Sequence, residues 1–352
     1  MSAIASADLT PLFTREFELC RVTADEHVIV LAEPTSRQDY VAAAFGAARG
    51  IGAHVAVITA PAGSASIEPS THTGSGAGLA SVLDDVVIQQ ALKGADVVID
   101  LTREGFIHAP VQSDILAAGT RILFVCDAPD VLERNLGSPD DSIRVREGID
   151  LIKASSTLRV TSAAGTDFTA VLTDSHPGGQ KGFVDRPGSW DHWPSTMVMC
   201  WPTTSDGRIV IAPGDILLPF KEYARAEVVL DIADGRITSV GGGADAAFLE
   251  RYFEDSGDEW ARYLSHMGWG LMRSANWFST AMYAKNELMG MEARAFAGNF
   301  LWSTGPHPFL QRESYAHLDI AMRGCTVRVD DTTVSDAGRL ADADRLVGAE
   351  VS

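Results

Sequence analysis

The chain has 352 residues, of which 46% are hydrophobic and 21% are charged, and its formal net charge is −19. This length favours two domains, and the composition is that of an ordinary globular protein. The acidity argues against nucleic acid or an anionic membrane surface as a partner, because both attract basic surfaces. No CxxC motif, signal peptide or apolar run of roughly 20 residues is present, so we expect a soluble cytoplasmic protein with reduced thiols.

Strand-like and helix-like segments alternate in the first part of the chain. Apolar runs predict strands over residues 27–32, 54–59, 96–101 and 121–126, and helices are predicted over residues 37–49, 79–93 and 110–118. Such alternation is typical of βαβ units with a parallel sheet. We therefore predict an α/β Rossmann-like domain over residues 1–155.

A glycine-rich segment, residues 46–52 (GAARGIG), is similar to a dinucleotide-binding signature. A phosphate-binding signature would follow a strand and open a helix, whereas here a helix-like segment precedes the glycines and a strand follows them. A helix that ends with a glycine cap is the favoured interpretation. The α/β domain is therefore expected to bind no nucleotide.

The pattern changes after residue 155. Segments 157–173, 197–201, 208–212, 225–232 and 236–240 predict strands in a largely antiparallel sheet, with turns between them. Residues 244–286 are predicted to be mostly helical, and residues 292–303 and 315–330 return to strand. We predict an α+β domain over residues 156–352 that carries a metal site.

Residues 314–324 (SYAHLDIAMRG) give the clearest chemical signal. His317 and Asp319 are two residues apart, so in a strand both side chains point to the same face. His266 is the best third ligand, because it lies between glycines and a helical region, where a turn can aim a side chain. Two histidines and one carboxylate suit Fe(II) and leave positions for substrate and O2. The alternative is a histidine that only hydrogen-bonds to a neighbour, since short motifs often arise by chance.

Several motifs resemble those of the 2,5-dihydroxypyridine 5,6-dioxygenase family. They are residues 182–194 (GFVDRPGSWDHWP), residues 298–306 (GNFLWSTGP), residues 165–168 (GTDF), residues 213–215 (PGD) and the His317-x-Asp319 strand. The resemblance implies Fe(II) held by His266, His317 and Asp319. It also implies that O2 opens 2,5-dihydroxypyridine between C5 and C6 to give N-formylmaleamate, in the catabolism of nicotinate, nicotine or related pyridines, and that the protein is a homo-oligomer such as a hexamer.

The wider group that the chain resembles includes the thermophilic M29 aminopeptidases, which hold two metal ions with several carboxylates. These relatives have a glutamate in the region where this chain has Ser265 and His266. An imidazole in place of a bridging carboxylate favours one metal ion over two. Three hypotheses follow: an iron dioxygenase for this or a related hydroxylated ring, a dinuclear metalloaminopeptidase, and a relative without either activity.

Ring opening needs a base and an acid, and histidine suits both because its ordinary pKa is about 6.5. His108 follows the strand predicted at residues 96–101, and ligands of open α/β sheets bind beyond the carboxyl ends of strands. The resemblance places a catalytic histidine there as well. His192 lies between Trp190 and Trp193, whose rings could flank a flat heterocycle. The alternatives are a solvent-exposed loop for His108 and a core position for His192.

Three residues are candidates for substrate contact. Trp190 is selected because a flat ring needs aromatic walls. The resemblance adds Ser303 as a hydrogen-bond partner of a ring substituent, and Ile107 as a residue that shapes the pocket entrance.

Overall fold

In a computed structural model of the chain, the described residues are 9–61, 85–106, 109–125, 127–218, 220–314 and 316–341. They divide into two compact units. The first comprises the chain up to Asp140, Gln180–Ser195 and Tyr283–Met291, and the second comprises Asp141–Gly179, Thr196–Met282 and the chain from Glu292 onward. Each unit is therefore built from separate segments, whereas the sequence pattern predicted one boundary between residues 155 and 156.

The helices are α1 (Leu9–Leu19), α2 (Gln38–Ile51), α3 (Val86–Lys93), α4 (Pro110–Ala117), α5 (Pro129–Arg134), α6 (Pro139–Lys153), α7 (Ala244–Asp255), α8 (Ser279–Met282) and α9 (Met291–Arg294). The first ten strands are β1 (His27–Ala32), β2 (His54–Thr59), β3 (Val97–Asp100), β4 (Arg121–Val125), β5 (Thr157–Ser162), β6 (Asp167–Val171), β7 (His176–Gln180), β8 (Trp190–Trp193), β9 (Met197–Trp201) and β10 (Ser205–Ile211). The others are β11 (Ile216–Leu218), β12 (Glu222–Tyr223), β13 (Val228–Ala233), β14 (Arg236–Gly242), β15 (Leu264–Gly270), β16 (Phe300–Thr304), β17 (Leu318–Met322), β18 (Cys325–Val329), β19 (Thr332–Asp336) and β20 (Arg339–Leu340). A short 3-10 helix covers Pro308–Leu310.

The first unit is organised around a five-stranded sheet with the order β2-β1-β3-β4-β8, and every neighbouring pair is parallel. Successive residues of a strand face opposite sides, and in β1 Val30 and Leu31 belong to different buried clusters. Both faces of the sheet are therefore covered, as parallel sheets require. The predicted α/β fold with a parallel sheet is confirmed.

The glycine-rich segment 46–52 contains the end of a helix, as the sequence indicated. Gly52 follows α2 with a φ of 94°, and its N–H contacts the carbonyl oxygens of Ala48 and Arg49. A left-handed residue of this kind is a common glycine cap. The helix predicted over residues 79–93 is described only as α3, because residues 62–84 lie outside the described part of the chain. Strand β8 was not predicted.

A buried carboxylate in the first unit fixes a segment distant in sequence. Asp127 follows β4 closely, and its oxygens accept the backbone N–H groups of Met289, Gly290 and Met291 at 2.8–3.1 Å. The side chains of Met289 and Met291 pack with Phe124. This interaction explains why residues 283–291 belong to the first unit although they occur late in the sequence.

The second unit contains two sheets. Their orders are β14-β13-β10-β6-β5-β18-β19-β20 and β12-β11-β17-β16-β15-β9-β7. The neighbouring pairs recorded between these strands are antiparallel, which confirms the predicted α+β character. One core cluster joins Val160 and Phe168 of the first sheet to Met267 and Trp302 of the second, so the sheets pack face to face. Among the described residues, no helix is both long and apolar enough to cross a membrane.

The prediction that residues 244–286 are mostly helical was wrong beyond Asp255. Residues 264–270 form β15, whose glycines permit a close approach of the neighbouring backbone. A Cβ added at Gly268 would lie 1.9 Å from the carbonyl oxygen of Val198 on β9. In the sequence these glycines indicated a turn, but in the sheet they allow the backbone of a neighbouring strand to approach closely.

Gly268→Ala is expected to lower the free energy of unfolding by roughly 2–3 kcal/mol, because the new methyl group overlaps the backbone of β9. Gly50→Ala is the matched control, since no atom lies within 4 Å of a Cβ at that helical position. There the substitution is expected to be neutral or slightly stabilising. Chemical denaturation measures both, and equal stability of the two variants would contradict the steric argument.

Asp100 at the end of β3 predicts a pH dependence of stability. Burial raises the pKa of Asp100 to about 7, although Thr102 donates to the carboxylate from its backbone and its hydroxyl. The folded protein then holds a proton that the unfolded chain releases above about pH 4, so the free energy of unfolding falls as the pH rises from about 4 to about 7.

Asp100→Asn removes this proton equilibrium. Relative to the unsubstituted protein, the variant is expected to gain about 1–3 kcal/mol of stability between pH 5 and pH 8. Denaturation curves at several pH values measure the difference. Asp114→Asn, at a side chain that is 67% exposed, is the control. Parallel pH curves for Asp100→Asn and the unsubstituted protein would contradict the prediction.

Candidate metal centre

One face of the seven-stranded sheet carries the predicted ligands. Alternation along the strands places His266, Ser303 and Asp319 on the face opposite the core. Their core-facing neighbours in sequence are Met267, Trp302 and Ile320. Ser303 of β16 pairs directly with Asp319 of β17. Ser303, with a small side chain, therefore lies beside the carboxylate in the row that carries the ligands.

A β-bulge places His266. The register between β15 and β16 shifts between Leu264 and Met267, so the regular hydrogen-bond ladder is interrupted there. The Ser303 hydroxyl satisfies the backbone of His266 instead, since it accepts from the N–H at 3.0 Å and donates to the carbonyl oxygen at 3.1 Å. Bulges commonly re-aim side chains beside active sites. His266 is thus aimed by a strand irregularity, and not by the turn that the sequence suggested.

The three predicted ligands come together. One donor atom from each of His266, His317 and Asp319 lies within 4.8 Å of the others. Nε2 of His266 is 3.5 Å from Asp319 Oδ1, and Nε2 of His317 is 3.4 Å from the same oxygen. Among the residues that the structure describes, this is the group of histidine, cysteine and carboxylate side chains that could hold a metal ion.

Two further contacts orient these donor atoms. Arg294 Nε donates to Asp319 Oδ2 at 2.8 Å, which leaves Oδ1 facing the imidazoles. His317 Nδ1 lies 3.2 Å from the carbonyl oxygen of Thr304. Because a carbonyl oxygen only accepts, Nδ1 carries the proton and Nε2 keeps its lone pair. A neutral histidine oriented in this way is a ready metal ligand.

The donor set fits a cation. Asp319 Oδ1 and His266 Nδ1 are buried and have no hydrogen-bond partner among the described residues. A buried carboxylate oxygen without a partner is costly, and a metal ion bound at that oxygen would satisfy it. Two imidazoles with one carboxylate are the ligand types of mononuclear iron sites.

The pKa shifts agree with this chemistry. Burial lowers the pKa of His266 to about 4, so its imidazole is neutral at physiological pH. Burial alone would raise the pKa of Asp319, but the charge of His317, when its ring is protonated, and the charge of Arg294 outweigh burial and hold the pKa well below its usual range. Neutral imidazole and ionised carboxylate are the forms that bind a metal ion.

Aromatic side chains border the ligands within the second unit. The ring centroid of Trp201 lies 5.8 Å from that of His266, and Phe309 packs edge-on to Trp201 at 5.5 Å. His176 stacks on Phe309 at 3.8 Å. We call Trp201, Phe309 and His176 the aromatic wall. Such a surface suits a flat ring beside the ligands.

The predicted catalytic and substrate-contact residues differ in what the structure shows of them. His192 is buried on β8, and its ring lies 4.7 Å from that of Trp190. Ser303 is buried, and the one proton of its hydroxyl is directed to the carbonyl oxygen of His266. Its predicted contact with substrate stays a prediction, as do the catalytic role of His192 and the substrate contact of Trp190. His108 and Ile107 lie outside the described residues.

Sequence reasoning missed Arg294, Trp201 and Phe309. Arg294 lies at the end of the short helix α9, and no periodicity or motif connects it with Asp319. Trp201 was predicted only as part of a strand. The pairing of Met267 with Cys200 shows that Trp201 lies opposite His266, and strand pairing of this kind was not available from one sequence.

Comparison with known proteins identifies relatives along nearly the whole chain. The family model for 2,5-dihydroxypyridine 5,6-dioxygenase matches residues 8–342. A 2,5-dihydroxypyridine 5,6-dioxygenase from Pseudomonas putida KT2440 is 38% identical over 339 residues, which cover 95% of this chain and 96% of the relative.

Two solved structures are similar to this chain along nearly its whole length. The structure of 2,5-dihydroxypyridine dioxygenase from Pseudomonas putida KT2440 has a TM-score of 0.92 at 36% identity, covering 97% of this chain and 99% of that one. Wild-type AmpT from Thermus thermophilus has a TM-score of 0.61 at 13% identity, covering 95% and 99% of the two chains. The second likeness shows a shared fold.

Ser303→Ala is expected to weaken the binding of a divalent metal ion by roughly 10–100-fold, because the bulge that aims His266 loses its hydrogen bonds. Titration with Co(II), followed by its absorption spectrum, measures the affinity.

Ser335→Ala is the matched control for this variant. Ser335 is also buried in the second unit and also donates to a backbone carbonyl, that of Gly298. Both variants are expected to lose some stability. If both bind the metal ion as tightly as the unsubstituted protein, Ser303 does not position His266.

Proposed function

The chain belongs to the 2,5-dihydroxypyridine 5,6-dioxygenase family, and on this premise we propose that it is an Fe(II)-dependent, extradiol-type dioxygenase. It opens the ring of 2,5-dihydroxypyridine between C5 and C6 with O2 and yields N-formylmaleamate, in the catabolism of pyridine-type N-heterocycles. The observation that supports this most directly is the donor set of His266, His317 and Asp319 around a buried, unpartnered carboxylate oxygen.

Three residues would hold the iron. Bound Fe(II) supplies the redox chemistry that lets O2 react with an electron-rich ring, and a three-residue set leaves positions for both reactants. Asp319 contributes the charge, because Arg294 holds one carboxylate oxygen and the other faces the imidazoles. His317 presents Nε2 because its Nδ1–H donates a hydrogen bond to the backbone carbonyl oxygen of Thr304. His266 presents Nε2 from the bulge held by Ser303.

The aromatic wall supports a planar substrate. Trp201 lies next to His266 and is partly exposed, so a ring near the ligands could pack against the indole. Phe309 and His176 extend this surface away from the ligands. We propose that the wall binds the pyridine ring, and that Ile107, Trp190 and Ser303 remain further candidates for substrate contact.

His108 and His192 are proposed to handle the reacting oxygens. The substrate hydroxyl at C5 must lose a proton, and oxygen must gain hydrogen bonds or protons as the ring opens. Histidine is suited to both tasks. A small change of pocket shape can redirect such an enzyme by only a few kcal/mol, so a related hydroxylated ring is the alternative substrate.

The dinuclear aminopeptidase is disfavoured. Among the described residues, the ligand group has one carboxylate, and two bridged metal ions need several. The similarity to AmpT at 13% identity concerns the fold. A cytoplasmic homo-oligomer, with a hexamer as the form implied by the resemblance, is also part of the proposal, and sedimentation analysis tests its oligomeric state.

Oxygen uptake with 2,5-dihydroxypyridine tests the proposal. The Fe(II)-loaded protein is expected to consume O2 and form N-formylmaleamate, and His266→Ala is expected to lower iron content and to lower turnover by at least about 100-fold. His27→Ala is the control, because this histidine is 65% exposed and lies in the other unit. Metal content is measured alongside.

The outcomes separate the hypotheses. Iron binding without O2 uptake would exclude this substrate while leaving the metal site in place. Two zinc or cobalt ions per chain would support the dinuclear alternative. Full turnover by His266→Ala would exclude His266 as a ligand.

A further inference from the structure

Three buried side chains of the first unit form a hydrogen-bonded chain. The Ser195 hydroxyl donates to Gln180 Oε1 at 2.6 Å, and Gln180 Nε2 lies 2.8 Å from His192 Nδ1. The exposed fractions of the three residues are 1%, 5% and 7% in that order. Buried polar groups of this kind are expected to have hydrogen-bond partners, so the direction of each bond has a chemical meaning.

The direction of these two hydrogen bonds determines which ring nitrogen of His192 carries the proton. With Gln180 Oε1 placed toward the Ser195 hydroxyl, Nε2 faces His192, and because an amide nitrogen donates and does not accept, Nδ1 is the acceptor in this arrangement. A neutral imidazole carries one proton, which must then lie on Nε2. A second proton on Nδ1 would face the N–H of the amide, which opposes formation of the imidazolium.

The ring has little freedom to avoid this partner. His192 pairs with Phe124 across β4 and β8, and their rings lie 5.2 Å apart. Trp190 packs edge-on to the imidazole, with the ring centroids 4.7 Å apart. The backbone N–H of His192 is held by Asp191 Oδ1 at 2.9 Å. Ring and backbone are therefore both fixed, and Gln180 is the partner that faces Nδ1.

We propose that Gln180 is a positioning residue that keeps His192 neutral with the proton on Nε2. His192 then serves the reaction as a hydrogen-bond donor to an oxygen on which negative charge develops, and not as the base. The task of the base falls to another group, for which His108 is the candidate from the sequence. This catalytic part rests on the proposed function, whereas the tautomer itself does not.

The contrast with His317 supports the assignment. There Nδ1 faces a carbonyl oxygen, so Nε2 keeps its lone pair and can bind a metal ion. At His192 the partner of Nδ1 is a donor, so Nε2 keeps its proton. The partner of Nδ1 thus leaves Nε2 as a metal-binding nitrogen in His317 and as a hydrogen-bond donor in His192.

Nitrogen NMR tests the tautomer directly. The full chain, labelled with 15N-histidine and loaded with diamagnetic Zn(II), is compared with His192→Gln to assign the two ring nitrogens. Near neutral pH, Nδ1 is expected to show the shift of a bare nitrogen and Nε2 that of a protonated one. A protonated Nδ1 would overturn the proposal without any variant being needed.

Gln180→Glu replaces the hydrogen-bond donor that faces His192 Nδ1 with an acceptor, because a carboxylate accepts where the amide donates. The proton of His192 is expected to move to Nδ1. Gln38→Glu is the matched control, since this glutamine is exposed and belongs to the same unit. It is expected to leave the His192 signals unchanged.

Activity separates the two parts of the proposal. With iron content unchanged, Gln180→Glu is expected to lower kcat by about 100-fold, the usual effect of losing one donor to a developing oxyanion. An unchanged kcat with a reversed tautomer would overturn the catalytic role of His192. If the unsubstituted protein shows no O2 uptake, the proposed function fails, and the NMR result still decides the tautomer.

Discussion

The metal centre depends on one buried carboxylate oxygen. Asp319 Oδ1 faces Nε2 of both histidines at 3.4–3.5 Å and has no hydrogen-bond partner among the described residues. Arg294 binds the other oxygen, and His317 and Arg294 hold the pKa of the carboxyl well below its usual range. Nε2 of both histidines lies near Oδ1, His317 through the hydrogen bond of its Nδ1 to a backbone carbonyl and His266 from the bulge. Together these contacts leave a carboxylate charge and imidazole nitrogens where a cation can bind, and the relatives that are 36–38% identical to this chain are dioxygenases.

Much of the fold and part of the site could be predicted from one sequence. The four apolar runs of the first unit identified the parallel sheet because buried parallel strands are apolar on both faces. The spacing of His317 and Asp319 indicated their convergence because a strand repeats every two residues. The donor atom of His266 lies near those of His317 and Asp319, but the local structure of His266 was predicted as a turn beside a helix.

The errors have physical causes. Strand β15 contains glycines that sequence reasoning treats as turn signals, and only the neighbouring backbone of β9 shows why glycine is needed there. Arg294 and Gln180 act through partners distant in sequence: Asp319 is 25 residues from Arg294, and His192 is 12 residues from Gln180. A single arginine or glutamine carries no periodic signal. Contacts of this type depend on strand register and bulges, which local composition does not determine.

The ligand-bearing sheet has a consequence for how the family can diverge. Each ligand strand also supplies the core, so His266, Ser303 and Asp319 alternate with Met267, Trp302 and Ile320. Insertion or deletion of one residue within β15, β16 or β17 would exchange the two faces, placing a carboxylate or imidazole in the core and an indole over the metal site. A one-residue length change in these strands therefore keeps the ligands on their face only where a bulge absorbs it, as between Leu264 and Met267 of β15. Side-chain replacement on the aromatic wall does not shift the register of the ligand strands, so this surface can vary while β15, β16 and β17 keep their pairing.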